Sequence, residues 1–147
     1  MSVGTIIKSV KQIHKEDVVL VQMGKFYYAY GKDAYILSDL FGYKLNNFET
    51  NIYSVGFPSN SYSKVISRLE RLKINYLILD KRNNYEVLEF QNYKNLNNYN
   101  EYFEQAKKEI LIKIRIQKIN EYLLKNIKSA HIKEKIYGIE KILKNDK

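Results

Sequence analysis

The sequence predicts an α+β fold, in which a small mixed β-sheet with flanking helices precedes a C-terminal helical hairpin or long helices. Over the first 90 of 147 residues, short β-branched and aromatic runs alternate with segments whose apolar residues recur at helical spacing. The order read from these patterns is α-β-α-β-β-α-β-β, which is typical of helices packed on a mixed sheet. Beyond residue 100 only the helical spacing continues.

The first half of this order follows from a few local patterns. Ile6, Ile7, Val10 and Ile13 recur at helical spacing, and the run that follows, Val18-Val-Leu-Val21, reads as a buried strand. These patterns predict a helix over 3–15 and a strand over 18–21. Residues 26–30 continue that strand past a bulge or bend at Met23-Gly24. A second helix is predicted over 33–41, ending at Gly42.

The second half is predicted in the same way. Strands over 43–45 and 52–55 flank a polar loop at 46–51, and a turn at 56–61 opens a helix over 62–73. Strands over 75–79 and 85–90 flank a hairpin turn at 80–84. In the helix over 62–73 the apolar residues share one face, while Lys64, Arg68 and Arg71 lie on the other as candidate phosphate contacts.

Composition divides the chain into three parts. Residues 1–91 form the α/β module, 92–100 form an Asn-rich linker with little to bury, and 101–147 form the helical extension. The extension reads as one helix over 101–127 and a second helical segment that Ser129 can cap. Both helices have wide apolar faces, which can fold back on the sheet, pair with each other or dimerise.

Charge and composition limit the function classes. The formal net charge is +9, from 25 basic and 16 acidic residues, which favours polyanionic partners. An AT-biased coding sequence would enrich Lys, Asn, Ile and Tyr in the same way. Residues 1–8 lack the layout of a signal peptide, and no run approaches the roughly 18 apolar residues that span a bilayer. We therefore expect a cytoplasmic protein that does not act at a membrane.

No catalytic or metal-binding apparatus is visible. Cysteine is absent, and His14 and His131 are distant in sequence, which favours surface or helix-end positions for both. Neither a Walker-type loop nor a Gly-x-Gly-x-x-Gly run is present. Asp80 follows a strand, but Lys81 and Arg82 come directly after it, as in a solvated turn. The sequence thus predicts no catalytic residue, no metal and no cofactor, and so no enzyme.

Aromatic residues offer a different kind of site. Phe26, Tyr27, Tyr28 and Tyr30 follow the buried strand closely, where a ring on rigid backbone can stack on another flat group. Nucleobases are the commonest such partner for a basic protein. The same rings can instead complete the core or a strand face.

Two ordered motifs carry a family resemblance. Leu20-Val-Gln-Met-Gly-Lys-Phe-Tyr-Tyr-Ala-Tyr-Gly-Lys-Asp-Ala34 resembles the entry to the N-terminal mismatch-recognition domain of MutS proteins, approximately hydrophobic-x-Met-Gly-Asp-Phe-Tyr-Glu-Leu-Phe-x-x-Asp-Ala. Tyr53-Ser-Val-Gly-Phe-Pro58 resembles the family's Met-Ala-Gly-x-Pro turn. Val65-Ile-Ser-Arg-Leu69 and Asn75-Tyr-Leu-Ile-Leu-Asp80 resemble the helix and strand that follow, so the resemblance covers roughly residues 5–90.

The resemblance implies a module that binds duplex DNA. In the family, the Phe of Phe-x-Glu wedges into the minor groove and stacks on a mispaired or unpaired base, and its Glu hydrogen-bonds that base. Phe26 matches the wedge, whereas Tyr28 replaces the Glu and lacks its proton-dependent readout. Lys25 replaces the Asp before the Phe, which favours phosphate contact. The connector, clamp and ATPase regions of the family have no counterpart in this sequence.

Two readings of function therefore compete. The first is a non-enzymatic DNA-binding protein that recognises mismatched or distorted duplex DNA through Phe26, with Lys25 and Tyr28 beside it. The second is a protein-interaction adaptor, in which the sheet is a scaffold and the C-terminal helices bind a partner or a second copy. Binding of RNA or single-stranded nucleic acid is a third possibility, because exposed rings stack on any base.

Overall fold

The structure, a computed structural model, describes residues 2–94 and 97–145. Five residues lie outside the described ones: Met1 of the predicted α/β module, Asn95 and Leu96 of the predicted linker, and Asp146 and Lys147 of the predicted helical extension. The elements are α1 Val3–Ile13, β1 Val18–Met23, β2 Phe26–Tyr30, α2 Lys32–Phe41, β3 Asn46–Glu49, β4 Ile52–Pro58, α3 Tyr62–Arg71, β5 Tyr76–Asp80, β6 Glu86–Gln91, α4 Asn98–Lys125 and α5 Ile132–Asn145. The predicted α+β class, with a mixed sheet, flanking helices and long C-terminal helices, is confirmed.

The six strands form one mixed sheet in the order β3-β4-β2-β1-β5-β6. β1 and β5 pair in parallel, with Gln22 opposite Asp80, and the other neighbouring strands pair antiparallel. Short 3₁₀ helices at Ser59–Ser61 and Lys81–Asn83 follow β4 and β5. Because β1 and β5 are parallel, the turn after β5 lies at the same end of the sheet as the turn after β1.

The two faces of the sheet are covered differently. On the first, which we call the covered face, Tyr27, Phe57 and Tyr76 pack against α2, α3 and the start of α4. On the second, which we call the open face, Val21 and Leu79 pack against α1. Since side chains alternate along a strand, β2 directs Tyr27 and Ala29 to the covered face and Phe26, Tyr28 and Tyr30 to the open face.

A buried ion pair joins the elements that cover the two faces. Asp33 in α2 is almost fully buried and accepts hydrogen bonds from Lys11 Nζ of α1 at 3.0 Å, from the Val19 backbone N–H at 3.1 Å and from the Tyr99 hydroxyl of α4. Burial raises the pKa of Asp33, although Lys11 and the hydrogen-bond donors act against that shift. Burial and the neighbouring Asp33 also raise the pKa of Tyr99, so its hydroxyl remains a donor.

Two local strand predictions are wrong. Met23-Gly24 is not a bulge within one strand, because the chain reverses there and β2 pairs antiparallel with β1. The strand expected at 43–45 is absent, whereas β3 occupies most of the expected loop at 46–51. Helix α2 ends in the left-handed Gly42, and Ser38 Oγ donates to the Tyr43 carbonyl at 2.6 Å, so this segment belongs to the helix cap.

The predicted linker at 92–100 also differs from the structure. The Asn98 side chain donates to the Leu72 carbonyl at 2.7 Å, and the Tyr93 N–H donates to Asn75 Oδ1 at 2.7 Å. Helix α4 begins at Asn98 rather than at residue 101, because Tyr99 is buried in the core of the covered face. The first compact unit accordingly extends to Ile110, and the second comprises Leu111–Lys147.

The second unit contains the C-terminal half of α4 and all of α5. Large apolar side chains remain exposed on both of its helices and on the turn between them: Leu111, Ile112, Ile116, Ile119, Tyr122, Leu124, Ile127, Ile136, Tyr137, Ile139, Ile142 and Leu143. Lys135 Nζ lies 5.4 Å from the centre of the Tyr122 ring. Within the described residues, no helix combines the length and apolarity needed to cross a membrane.

Candidate nucleic-acid interface

A tight hairpin turn presents the candidate wedge. Met23 pairs with Phe26, so Gly24 and Lys25 alone connect β1 to β2. Gly24 has φ +61°, the sign that a type II′ turn requires at its first central residue, and only glycine adopts it without strain. The Lys25 carbonyl accepts a hydrogen bond of 2.8 Å from the Ser59 N–H, which ties the turn to the end of β4. Phe26 therefore begins its strand on a well-fixed backbone.

Phe26 projects into solvent from this mount. Its side chain belongs to the open face, and the residue is 45% exposed. On the neighbouring strands its partners are Met23 and Pro58. The backbone of Phe26 is paired with a strand on each side, while its ring remains partly exposed. Such a ring is free to stack on a planar ligand. The exposure of Phe26, on which the wedge hypothesis depends, is thus present.

Tyr28 lies beside Phe26 on the same face. Their ring centres are 6.2 Å apart, and the two planes are tilted by 34°. Tyr28 is half-buried and lies opposite Gly56 of β4, whose missing side chain leaves space for its ring. The structure thus places Lys25, Phe26 and Tyr28 on one hairpin, with the two rings side by side.

Further tyrosines, Tyr30 in the core and the half-buried Tyr85, extend this aromatic cluster. Burial, and then the nearby hydroxyls of Tyr28 and Tyr85, raise the pKa of Tyr30 to about 12. Tyr85 enters β6 with φ +59°, a left-handed conformation that is unusual for a bulky side chain, and its ring packs on the open face. Tyr85 is a site residue that sequence patterns missed, since no local signal places it beside β1.

Cations on the two neighbouring turns share one end of the sheet. Lys25 is exposed in the β1–β2 turn, while Lys81 and Arg82 are exposed in the turn after β5. The pairing of Gln22 with Asp80 aligns these turns. The sequence alone indicates only a solvated turn at Lys81 and Arg82. Their position at the same end of the sheet as Phe26 follows from the parallel pairing of β1 and β5.

The other predicted basic residues lie elsewhere. Lys64, Arg68 and Arg71 belong to α3, which packs on the covered face through Val65 and Leu69. The Arg68 guanidinium lies 6.0 Å from the centre of the Phe41 ring and is partly covered. The structure therefore places α3 on the face opposite to the one on which Phe26 and Tyr28 lie. Lys64 is in the first turn of α3, and Arg71 is about 10 Å further along its axis.

Comparison with known families agrees with this architecture. The model of MutS domain I matches residues 5–86, which is more than half of the chain. The chain belongs to the MutS domain I family. The resemblance predicted from the two sequence motifs is thereby confirmed. A comparison with curated proteins finds no match.

The limits of the match separate two parts of the molecule. It begins within α1 and ends at Glu86, the first residue of β6, so the domain I region contains the hairpin turn, Phe26, Tyr28 and Gly56. Helices α4 and α5 lie beyond the match. Tyr99, which donates to the buried Asp33, is therefore an addition to the matched region rather than a part of it.

Proposed function

We propose that this protein is a non-enzymatic DNA-binding module that recognises mismatched or otherwise distorted duplex DNA through the Phe26 ring. The observation that carries the proposal is the solvent exposure of Phe26 on the tight β1–β2 hairpin of a MutS domain I fold. Phe26 matches the wedge of that family by sequence. An open ring on a rigid mount can enter a base stack without first rearranging its own core.

Distorted duplex is the preferred ligand for an energetic reason. Stacking of a base on an aromatic side chain contributes about 1–3 kcal/mol. Intact DNA must first be unstacked and unpaired at a comparable loss of free energy, whereas a mismatched or unpaired base has already lost part of that stability. A single wedge of this kind therefore selects defective sites more by their ease of opening than by base identity.

Phosphate contacts supply the rest of the proposed affinity. We assign the first contacts to Lys25, Lys81 and Arg82, which surround the end of the sheet from which Phe26 projects. Lys64 lies in the first turn of α3, shortly after the strand end that pairs with Phe26, so it is the nearest of the α3 candidates along the chain. Arg68 and Arg71 lie further along α3 on the covered face, and we propose a smaller role for them.

A mobility-shift series tests the function directly. Homoduplex, mismatched, looped and single-stranded DNA of one length are compared, with single-stranded RNA as a further probe. We expect preference for the mismatched and looped duplexes, and we expect Phe26→Ala to abolish this preference and to leave weak, salt-sensitive binding. Equal affinity for homoduplex and distorted duplex would refute the proposal, and stronger binding to the single strands would favour the stacking alternative.

Phe90→Ala provides a matched control for this experiment. Phe90 is 46% exposed, like Phe26, but it pairs with Leu77 at the opposite end of the sheet and contacts the His14 ring. The general loss of an exposed phenyl group is therefore the same in both variants. We expect Phe90→Ala to retain the preference for distorted DNA.

A second candidate function rests on the second unit. The exposed apolar side chains of α4 and α5, such as Ile116 and Ile139, favour an adaptor that binds a protein partner or a second copy. Such an adaptor would ignore all the nucleic-acid probes and would elute from a sizing column as an oligomer or with its partner. The predicted cytoplasmic location stays a prediction under either function.

A further inference from the structure

Gly56 differs from the glycines that form turns in this molecule. Gly24, Gly31 and Gly42 have positive φ angles, and a Cβ added to any of them would meet nothing within 4 Å. Gly56 has no positive φ, yet a Cβ there would lie 2.7 Å from Cε1 and 3.0 Å from Cδ1 of Tyr28. Its φ angle therefore does not require glycine, whereas the space that the Tyr28 ring occupies does.

The space at Gly56 determines where the Tyr28 ring lies. Tyr28 and Gly56 are direct partners across β2 and β4, so their side chains would share one site on the open face. Without a Cβ at Gly56, the aromatic ring lies over the backbone of β4. The contact involves ring atoms near the middle of the side chain, so a methyl group at Gly56 would displace the whole ring rather than a flexible tip.

The Tyr28 ring in turn borders Phe26. The two residues are separated by one position in β2, and their ring centres are 6.2 Å apart on the same face. Phe26 is 45% exposed, whereas Tyr28 packs against the buried residues of the open face. A shift of Tyr28 would therefore remove the aromatic neighbour that limits the positions of the Phe26 ring.

We propose that Gly56 is a positioning residue for DNA recognition, because its missing side chain lets Tyr28 lie against β4 and support the Phe26 wedge. The inference rests on the proposed function, and it adds a specificity role for a residue that touches neither base nor phosphate. It also gives Tyr28 a role that does not require the carboxylate of the family's Glu: the ring supports the wedge through its shape and position.

The test compares Gly56→Ala with Gly138→Ala, a glycine of α5 whose added Cβ would meet nothing within 4 Å. The first readout uses the free protein, as the nuclear Overhauser contact between the Phe26 and Tyr28 rings. We expect this contact to weaken in Gly56→Ala and to persist in Gly138→Ala. A contact that persists in Gly56→Ala overturns the positioning role, whatever the protein does with DNA.

The second readout is the ratio of affinities for a duplex with one unpaired thymine and for its homoduplex. We expect Gly56→Ala to lower this ratio about tenfold, which is within the range of a lost base stack. Gly138→Ala should change it by less than about twofold. If the ring contact is lost but the ratio is unchanged, the proposed role in recognition is wrong. A wild-type ratio near one refutes the proposed function itself, and with it the recognition role of Gly56.

A double variant separates positioning from general damage to the sheet. In Tyr28→Ala the ring that would meet the new methyl group is absent, so adding Gly56→Ala should have little further effect. We expect the double variant to show the same affinity ratio and the same thermal midpoint as Tyr28→Ala alone. An additive loss would mean that Gly56 acts through the strand rather than through Tyr28, and would overturn the proposal.

Discussion

The two faces of the sheet are made by the same strands but have different surroundings. On the covered face, Phe57 and Tyr76 are almost fully buried beneath α2, α3 and the start of α4. On the open face, α1 covers the centre, while Phe26 and Tyr28 lie at the hairpin end. The difference indicates that the covered face buries its large aromatic residues, whereas the open face leaves Phe26 and Tyr28 partly exposed at the hairpin end.

Strand β2 shows this division within five residues. Tyr27 stacks on Phe57 at a centroid distance of 5.5 Å, whereas its neighbours in sequence, Phe26 and Tyr28, project to the other face. The alternation of the strand thus places the core residue Tyr27 between two residues of the proposed recognition surface.

The largest expected contrast is between Phe57→Ala and Phe26→Ala. Phe57 is 1% exposed, so its truncation should lower the free energy of unfolding by about 3–5 kcal/mol. Phe26 is 45% exposed, so its truncation removes little packing and should lower the free energy of unfolding by less than about 1 kcal/mol. Urea denaturation measures both values. A similar loss for the two variants would show that Phe26 is part of the core, which contradicts its proposed availability to DNA.

The second contrast concerns the buried Asp33, which links the elements covering the two faces. Tyr99→Phe removes the hydroxyl that donates to Asp33, and should lower the free energy of unfolding by about 1–3 kcal/mol because a buried acceptor loses a hydrogen-bond donor. Tyr102 lies one turn further along α4 and packs on the same core. We expect Tyr102→Phe to lower the free energy of unfolding by less than about 0.5 kcal/mol. Equal small losses would mean that the Tyr99 hydroxyl does not help to anchor α4.

Most of the element order was predictable, because each helix and strand has its own period of apolar residues. The predicted class, the helix over 33–41 that ends at Gly42 and the hairpin around 80–84 are confirmed. The strand predictions were wrong where pairing with another strand, rather than the local sequence, determines the structure. Asn46–Glu49 has no apolar alternation, yet it forms β3 because β4 offers it a free strand edge.

The site was predictable only where its residues are adjacent in sequence. Lys25, Phe26 and Tyr28 share one hairpin, so local reasoning could group them. Lys81 and Arg82 join them only through the parallel pairing of β1 with β5, which no local pattern reveals. The buried ion pair shows the same limit, since Lys11 and Asp33 are 22 residues apart and Tyr99 is a further 66 residues along the chain.

The smallest expected effect distinguishes the two sets of basic residues. If Lys25 contacts one phosphate, Lys25→Gln should reduce the slope of log affinity against log salt by about 0.9, with a modest loss of affinity for every duplex. Arg71, which is also exposed, belongs to α3 on the covered face, and Arg71→Gln should leave the slope nearly unchanged. Titrations between low and moderate salt measure both slopes. A larger change for Arg71→Gln would mean that the duplex binds along α3, and that the open face is not where DNA is recognised.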